Sequence, residues 1–319
     1  MSDLRYNVEL TAPDITPYRA GNTGVEYVTT FTATEPGPHV AVFGLTHGNE
    51  ICGAITIDKL FRANIRPHRG KLTLGLNNVA AYHEFDPRYP IASRYIDEDF
   101  NRLWSPATLD GARNSAELQR ARAMRPIVAA ADYLLDLHSM QYATAPLMLA
   151  GLLPKSVALA RQVGIPELIM CDAGHAAGPR MRDYAEFADP ASPKTALLIE
   201  AGQHWEKRSA EVAVDVTLRF LIALGTVTRD DVAALGGPDF DATPPQRVID
   251  VTEAVTITGN RFEFIEPYVG LEVIPKQGTV IGHDADQEIR TPYDNCVLIM
   301  PSRRLVRGQT AVRLGRYVG

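Results

Sequence analysis

Cysteine is scarce in this chain. Only Cys52, Cys171 and Cys296 occur among 319 residues, far apart and odd in number. No C-x-x-C pair exists, so a structural zinc knuckle and a dithiol redox pair are both excluded. Such sparing use fits a reducing compartment, and a cytoplasmic location is expected. Long apolar runs are missing too: no stretch approaches the roughly 18 apolar residues of a membrane helix. The opening Met1-Ser-Asp-Leu-Arg-Tyr6 has no apolar core for a signal peptide. Positive charge is not in excess, since 32 Lys and Arg face 38 Asp and Glu, for a net charge of −6. A duplex nucleic-acid binder usually carries a basic footprint, so neither nucleic acid nor a membrane is an expected partner. Repeats of fixed period and low-complexity segments are also absent.

What is present is the composition of a globular protein, 45% hydrophobic and 22% charged. A chain of 35.0 kDa folds to a surface of roughly 13,000 Å², against about 50,000 Å² unfolded, so a full core is available. Over residues 1–235, strand-like and helix-like segments alternate. Strands are expected at Val40–Leu45, Lys71–Leu76, Tyr133–His138, Leu147–Ala150, Leu168–Cys171 and Thr195–Glu200. Helices are expected at Ile51–Phe61, Ser115–Ala131, Lys155–Val163 and Glu206–Leu224, with a break or kink at Pro126. Residues 236–245 hold two Gly and three Pro and read as a linker. From residue 246 to 319 only short β-type runs remain. The expected fold is α/β, a mostly parallel or mixed sheet flanked by helices, with a small C-terminal all-β domain.

Polar residues at the ends of apolar strands carry the chemistry, because ligands bind outside the carboxyl edge of open α/β sheets. His47-Gly-Asn-Glu50 follows the first of these strands. His47 and Glu50 can converge across the turn, or Asn49 can cap the next helix while Glu50 complements its dipole. Asp136-Leu-His138 ends a buried strand. His138 is either a ligand oriented by Asp136 on the same strand face or a hydrogen-bonded core histidine. Glu200 follows four apolar residues and is either a salt-bridge partner or a general base in a partly dry site. Together, two His and one Glu make a zinc set with one open position, and a further carboxylate supplies a proton shuttle. The segment Ser93-Arg94-Tyr-Ile-Asp97-Glu-Asp99-Phe-Asn101-Arg102 adds fixed cations. Arg94 can face a developing oxyanion, and Asn101 with Arg102 offers a forked donor set for a carboxylate. Asp97, Glu98 and Asp99 also fit a solvated charged loop.

These segments resemble the succinylglutamate desuccinylase/aspartoacylase family of the zinc carboxypeptidase clan. H-G-N-E at 47–50, S-R-Y-I-D-E-D-F-N-R at 93–102, D-L-H at 136–138 and I-E-A-G at 199–202 match its motifs in order. The resemblance implies a zinc carboxypeptidase-like fold and one zinc per chain on His47, Glu50 and His138. It implies Glu200 as general base and acid, Arg94 polarising the scissile carbonyl, and Asn101 and Arg102 holding a substrate carboxylate. Tyr184 is a candidate for a substrate-contacting phenol. Family enzymes for acidic amino acids use a further Arg shortly before the catalytic Glu. Here Phe187–Ile199 contains none, and Arg180 and Arg182 lie upstream, so a neutral or differently charged side chain is expected to be accepted. His175 sits in the glycine-rich stretch Asp172–Gly178, a type of loop that often closes over sites. The expected activity is zinc-dependent hydrolysis of the amide of a small N-acyl amino acid or N-acyl amine. The alternatives are a metallocarboxypeptidase acting on short peptides and a non-catalytic zinc-binding protein on the same scaffold. The acyl group, the amino acid and self-association stay open.

Overall fold

The alternation of apolar strands and amphipathic helices resolves into one large mixed sheet covered on both faces. The structure is a computed structural model and describes residues 6–175, 177–235, 240 and 243–318. Strands β1 (Val28–Thr32), β2 (Glu35–Gly44) and β3 (Arg69–Leu76) come first, with helix α1 (Ile51–Arg62) between β2 and β3. Short helices α2 (Val79–His83) and α3 (Pro106–Leu109) precede α4 (Ala116–Ala130) and β4 (Tyr133–Met140). Then follow β5 (Leu147–Leu149), α5 (Pro154–Val163), β6 (Leu168–Cys171), β7 (Thr195–Gln203), α6 (Lys207–Ala223) and α7 (Arg229–Val232). The remainder is β8 (Arg247–Thr256), β9 (Phe262–Phe264), β10 (Val273–Ile274), β11 (Val280–Asp284), β12 (Gln287–Arg290), β13 (Cys296–Ile299) and β14 (Thr310–Val318).

The central strands β3, β2, β4 and β7 run parallel. Helices cover both of their faces, which is why they read as nearly unbroken apolar runs rather than alternating ones. One face packs Val42, Leu135, Leu137 and Leu197 against α1, α5 and α6. The other packs Ala41, Phe43, Leu134 and Ala196 against α4 through Leu118, Met124 and Val128. Of the break or kink expected at Pro126, the break does not occur, since α4 continues for 15 residues with Pro126 inside it. Burial of Met124 and Val128 on either side of the proline outweighs the single backbone bond that its ring removes.

The two-part division of the sequence is visible in the element types but not in the main sheet. This sheet has 11 strands in the order β1-β3-β2-β4-β7-β5-β6-β8-β14-β13-β10. The junction is the parallel pair β6–β8, in which Cys171 faces Asp250. A separate three-stranded antiparallel sheet, β12-β11-β9, completes the C-terminal part. Most of the expected linker, residues 236–245, lies outside the described residues. Among the described residues, no helix is long and apolar enough to cross a membrane.

Candidate active site

The turn after β2 and the C-terminal halves of β4 and β7 deliver the polar cluster; His138 and Glu200 do not end their strands, which run on to Met140 and Gln203. After β2 the chain turns through Leu45, a positive-φ residue at 58°, into Thr46–Glu50 and then α1. Gly48 is needed there because a Cβ would lie 2.4 Å from the Ala81 carbonyl carbon of α2. Glu50 occupies the N-cap position of α1 yet makes no side-chain cap hydrogen bond. Its carboxylate instead bridges two imidazoles: Oε1 lies 2.7 Å from His47 Nδ1 and Oε2 lies 2.8 Å from His138 Nδ1. Asn49 does not cap the helix either, since its Oδ1 has no hydrogen-bond partner among the described residues. His47, Glu50 and His138 are all buried, and each offers a ligand atom within 4.8 Å of the others.

The outward-facing imidazole nitrogens are held in the same way on both rings. His47 Nε2 lies 3.0 Å from Asp99 Oδ1, and His138 Nε2 lies 2.8 Å from Asp136 Oδ2. A carboxylate on the far nitrogen fixes the ring orientation and raises the basicity of the near one, the arrangement typical of histidine metal ligands. Asp136 is anchored in turn by Thr46 Oγ1 at 2.6 Å, and Thr46 receives Asn77 Nδ2 at 2.8 Å. With this network in place, the donor set of two imidazoles and a carboxylate fits a divalent cation such as zinc. Burial disfavours the charge on Glu50 and on His138. Even so, Glu50 is held well below the usual carboxylate range by both imidazoles, and His138 is held well above its ordinary value by Asp136 and Glu50. The charge pattern is one that a bound cation would complete.

Asp99 is not part of a solvated loop. Its carboxylate contacts His47 and accepts from Arg94 Nη2 at 3.0 Å and from Asn101 N–H at 2.9 Å. Burial opposes its charge, but His47 and Arg94 keep it well below its ordinary value. Arg94 also lies 2.9 Å from His47 Nε2 and 3.5 Å from Glu50, so it sits beside the ligand set.

Glu200 stands on β7 directly opposite His138 of β4, in parallel register. Its Oε2 is buried and has no hydrogen-bond partner among the described residues, so the salt-bridge reading of this residue is not realised. Burial pushes its carboxyl up to about 8, and the Glu50 charge adds to the rise against His138, Arg94 and Arg180. A partly buried carboxyl with one buried oxygen left unpartnered, beside a candidate metal set, is a group placed to carry a proton.

The remaining expected residues separate. Arg102 faces the site with little compensation: Nη1 donates to the Asn101 carbonyl at 2.7 Å, and Asp99 is 3.9 Å away. Burial, with Arg180, Arg94 and Arg313 nearby, brings its guanidinium down to about 10. Asn101 is turned inward. Its Oδ1 accepts from Met181 N–H at 2.7 Å, and its Nδ2 lies 3.3 Å from His138 Nε2 and 3.5 Å from Asp136. Asn101 is 2% exposed, and its amide sits between Met181 and the His138–Asp136 pair. Tyr184 is likewise held by protein partners. It packs edge-on against Trp104 in a core cluster, and its hydroxyl accepts from Arg125 Nε at 2.8 Å. Arg182 is a buried brace, donating to the Ala150 and Ala196 carbonyls at 2.9 and 3.1 Å. Arg180 is paired with Asp172 through both terminal nitrogens, at 2.8 and 2.5 Å. Burial, with the charges of Arg102, Arg313 and Arg180, brings His175 down to about 3.

Two contributors escaped the sequence reading. Glu117, in the first turn of α4, is fully buried and accepts from the backbone N–H groups of Ile96, Asp97 and Glu98 and from Asn78 Nδ2. It thereby holds the loop that carries Arg94 and Asp99. His204 is buried against Ser139, the neighbour of His138, with Nδ1 2.8 Å from Ser139 Oγ. Neither partner set is sequence-local, so no spacing signals it.

Comparison with known proteins gives the cluster a context. The model of the succinylglutamate desuccinylase/aspartoacylase catalytic domain matches residues 36–222, which include all of the ligand candidates and Glu200. No curated protein matches the chain. Among solved structures, a succinylglutamate desuccinylase from Vibrio parahaemolyticus is 16% identical, with a TM-score of 0.66 over 92% of this chain and 87% of that one. A succinylglutamate desuccinylase/aspartoacylase from Rhodobacter sphaeroides is 17% identical, with a TM-score of 0.64 over 92% and 90%. The product-bound ectoine utilization protein EutE (DoeB) from Ruegeria pomeroyi is 16% identical, with a TM-score of 0.61 over 92% and 89%. These likenesses show a shared fold, and the family match covers more than half of the sequence. The chain belongs to the succinylglutamate desuccinylase/aspartoacylase family.

Proposed function

We propose that this protein is a zinc-dependent amidohydrolase that removes the acyl group from a small N-acyl amino acid or related N-acyl amine. The observation that carries this reading is the buried His47–Glu50–His138 cluster with the unpartnered Glu200 carboxyl opposite His138. His47, Glu50 and His138 would hold the metal, which when bound polarises the amide carbonyl and makes water acidic enough to attack at neutral pH. Asp99 and Asp136 keep the two rings turned toward it. Glu200 accepts the proton of the attacking water at its carboxylate and returns it to the leaving nitrogen. Arg94 stands beside the ligand set as a fixed cation for charge that develops on the carbonyl oxygen. Arg102 is the donor for a substrate carboxylate, and its planar fork suits that partner.

The test is a hydrolysis screen of zinc-loaded protein against N-acetyl and N-succinyl amino acids and short peptides, with and without a chelator. Release of free amine from an N-acyl amino acid, abolished by the chelator and restored by zinc, is the expected result. Faster cleavage of peptides would assign the site to a carboxypeptidase. Stoichiometric zinc with no turnover on any substrate would leave a binding protein on the same scaffold.

A further inference from the structure

Three site-bearing segments are tied together by Gln203-His204-Trp205, which takes no part in the proposed reaction. Strand β7 pairs in parallel with β4, and the pairing changes step just beyond the candidate catalytic groups. His138 lies opposite Glu200, but Met140 lies opposite Gln203, so two steps along β4 match three along β7. The extra residue makes a bulge, rare in parallel pairs, and bulges next to active sites re-aim side chains. Gly202 allows it: its φ is 117°, a conformation that glycine reaches without the cost a Cβ brings. Space is not the constraint, since a Cβ there would meet Ser209 Cβ only at 4.0 Å. On its other side β7 loses its partner at the same point, because the antiparallel register with β5 ends at the pair Leu147–Glu200.

The end of the strand that bears Glu200 is therefore held from beyond the bulge. His204 makes two bonds to β4. Its backbone N–H donates to the Met140 carbonyl at 2.8 Å, and its ring Nδ1 lies 2.8 Å from Ser139 Oγ. Ser139 in turn donates its own backbone N–H to Glu50 Oε2 at 3.4 Å, the oxygen that also faces His138 Nδ1. Trp205 ties the same end to the turn before α1, with Nε1 donating to the Asn49 carbonyl at 3.1 Å. Gln203 donates to the Gln141 carbonyl at 3.2 Å and accepts from Trp205 N–H at 2.8 Å. His204 and Ser139 are 2% and 3% exposed, so little water competes for the bond between them. Burial brings the His204 ring down to about 3; Glu50 opposes the fall, while Arg94, His47 and His138 add to it. The ring is neutral at physiological pH, with one donor and one acceptor nitrogen, and it serves as a hydrogen-bonding wedge rather than as a charge.

We propose that His204 is a positioning residue: its hydrogen bond to Ser139 closes the bulge and fixes Glu200 against the His138–Glu50 pair. In this role His204 touches neither substrate nor metal. Its bond joins the strand of the proton carrier to the strand of a metal ligand, and the Ser139 N–H passes the constraint on to Glu50. Misplacing a reacting group by a fraction of a bond length costs rate steeply, so loss of the bond should be felt in turnover and metal geometry before it is felt in stability. The proposal rests on the deacylase reading for the rate, but not for the metal geometry.

The experiment compares full-length wild type with Ser139→Ala, His204→Ala, the double variant, His204→Asn and His204→Gln. Four quantities are measured: kcat and KM on the N-acyl amino acid that wild type hydrolyses best, the zinc dissociation constant by chelator competition, the visible absorption of the cobalt-loaded protein, and Tm. Ser139→Ala removes only a hydroxyl. It should lower kcat or zinc affinity roughly 10- to 100-fold, as loss of a contact behind a metal ligand does, with KM within a few-fold and the cobalt bands displaced. The double variant should lose no more than His204→Ala, because both changes break one bond. His204→Asn places an amide where Nδ1 stands and should recover most of the loss. His204→Gln places it where Nε2 stands and should not. Wild-type kcat and cobalt spectrum in Ser139→Ala, losses that add in the double variant, or Asn no better than Gln would each overturn the role. If the His204 variants do not fold, Ser139→Ala decides alone. If wild type hydrolyses nothing, the deacylase reading fails, and the cobalt spectrum and zinc affinity of Ser139→Ala still decide the positioning role. If wild type hydrolyses and Ser139→Ala matches it in every readout, the positioning role fails and the deacylase reading stands.

Discussion

Glu200 and His138 stand on adjacent parallel strands in register, yet their environments ask different things of them. His138 has both nitrogens engaged, by Glu50 and Asp136. Glu200 has a buried oxygen with no partner among the described residues. One residue is built to hold something still, the other to exchange a proton. Replacing each should therefore fail differently. His138→Ala removes one of three ligands and leaves Glu50 and Asp136 facing a void, so bound zinc should fall well below one per chain by elemental analysis. Stoichiometric zinc in that variant would move the metal site elsewhere. Glu200→Gln keeps the shape and the ligand set but cannot carry the proton. It should retain zinc while losing on the order of 10²-fold or more in kcat. A variant within a few-fold of wild type would show that another group carries the proton. Asp99 is a poor substitute because it is already committed to His47 and Arg94. At this scale the sequence was legible where a polar residue interrupts an apolar strand, as at His138 and Glu200, although both strands run on past them. It was not legible where residue type allowed several partners: Asn101, Tyr184 and Asp99 have side chains suited to a substrate, a core or a loop, and only the fold decides among them.

The loop from Arg94 to Asp99 has no regular secondary structure, so its order must come from what it docks on. That element is the first turn of α4. Asp97 accepts from the Ala116 N–H at 2.8 Å, Ser115 Oγ and Arg113 donate to Glu98, and Glu117 accepts three consecutive backbone N–H groups of the loop. The loop satisfies the open N–H groups of the helix while the helix satisfies those of the loop. A buried carboxylate with four donors and no cation is stable only while all four remain. Glu117→Gln presents an amide nitrogen to two of those four donors, which turns attraction into repulsion. We expect it to lower Tm by roughly 3–5 °C, consistent with a loss of about 2–3 kcal/mol. It should also reduce kcat/KM through Arg94 and Asp99, with zinc content less affected than in His138→Ala. A Tm unchanged within 1–2 °C would show that the loop does not depend on this contact. The strands and helices themselves were readable from periodicity because burial on one face or two sets the pattern. The exception was Pro126, where packing on both sides of the ring kept α4 whole. The anchoring of this loop was not readable, because Glu117 looks like any acidic residue in a first helical turn.

On composition alone the molecule divides near residue 240, since helices stop and short strands begin. Packing joins what composition divides. Strand β8 hydrogen-bonds to β6 as the next member of the main sheet. A shared cluster packs Met140, Leu147, Leu168 and Leu198 from the first part against Ile249, Val297 and Ile299 from the second. These residues are buried on both sides, so neither part finishes its core without the other. The element types were legible from the sequence because turn residues punctuate them. The junction was not, because register between β6 and β8 is a long-range pairing that no local pattern records. The same junction brings Arg313 of β14 to within 4.0 Å of Asp172, just after β6. Two independently folding units would melt separately, and residues 1–245 would stand alone. The shared sheet predicts otherwise. Full-length protein should unfold in one calorimetric transition, and a chain ending at residue 245 should be insoluble or expose its core to a hydrophobic dye. With β8 gone, β6 becomes an open edge beside Leu168 and Met170, a surface prone to pairing with other chains. Two resolved transitions in the full-length protein, together with a soluble, cooperatively folded 1–245 fragment, would show that the boundary seen in composition is also a boundary in energy.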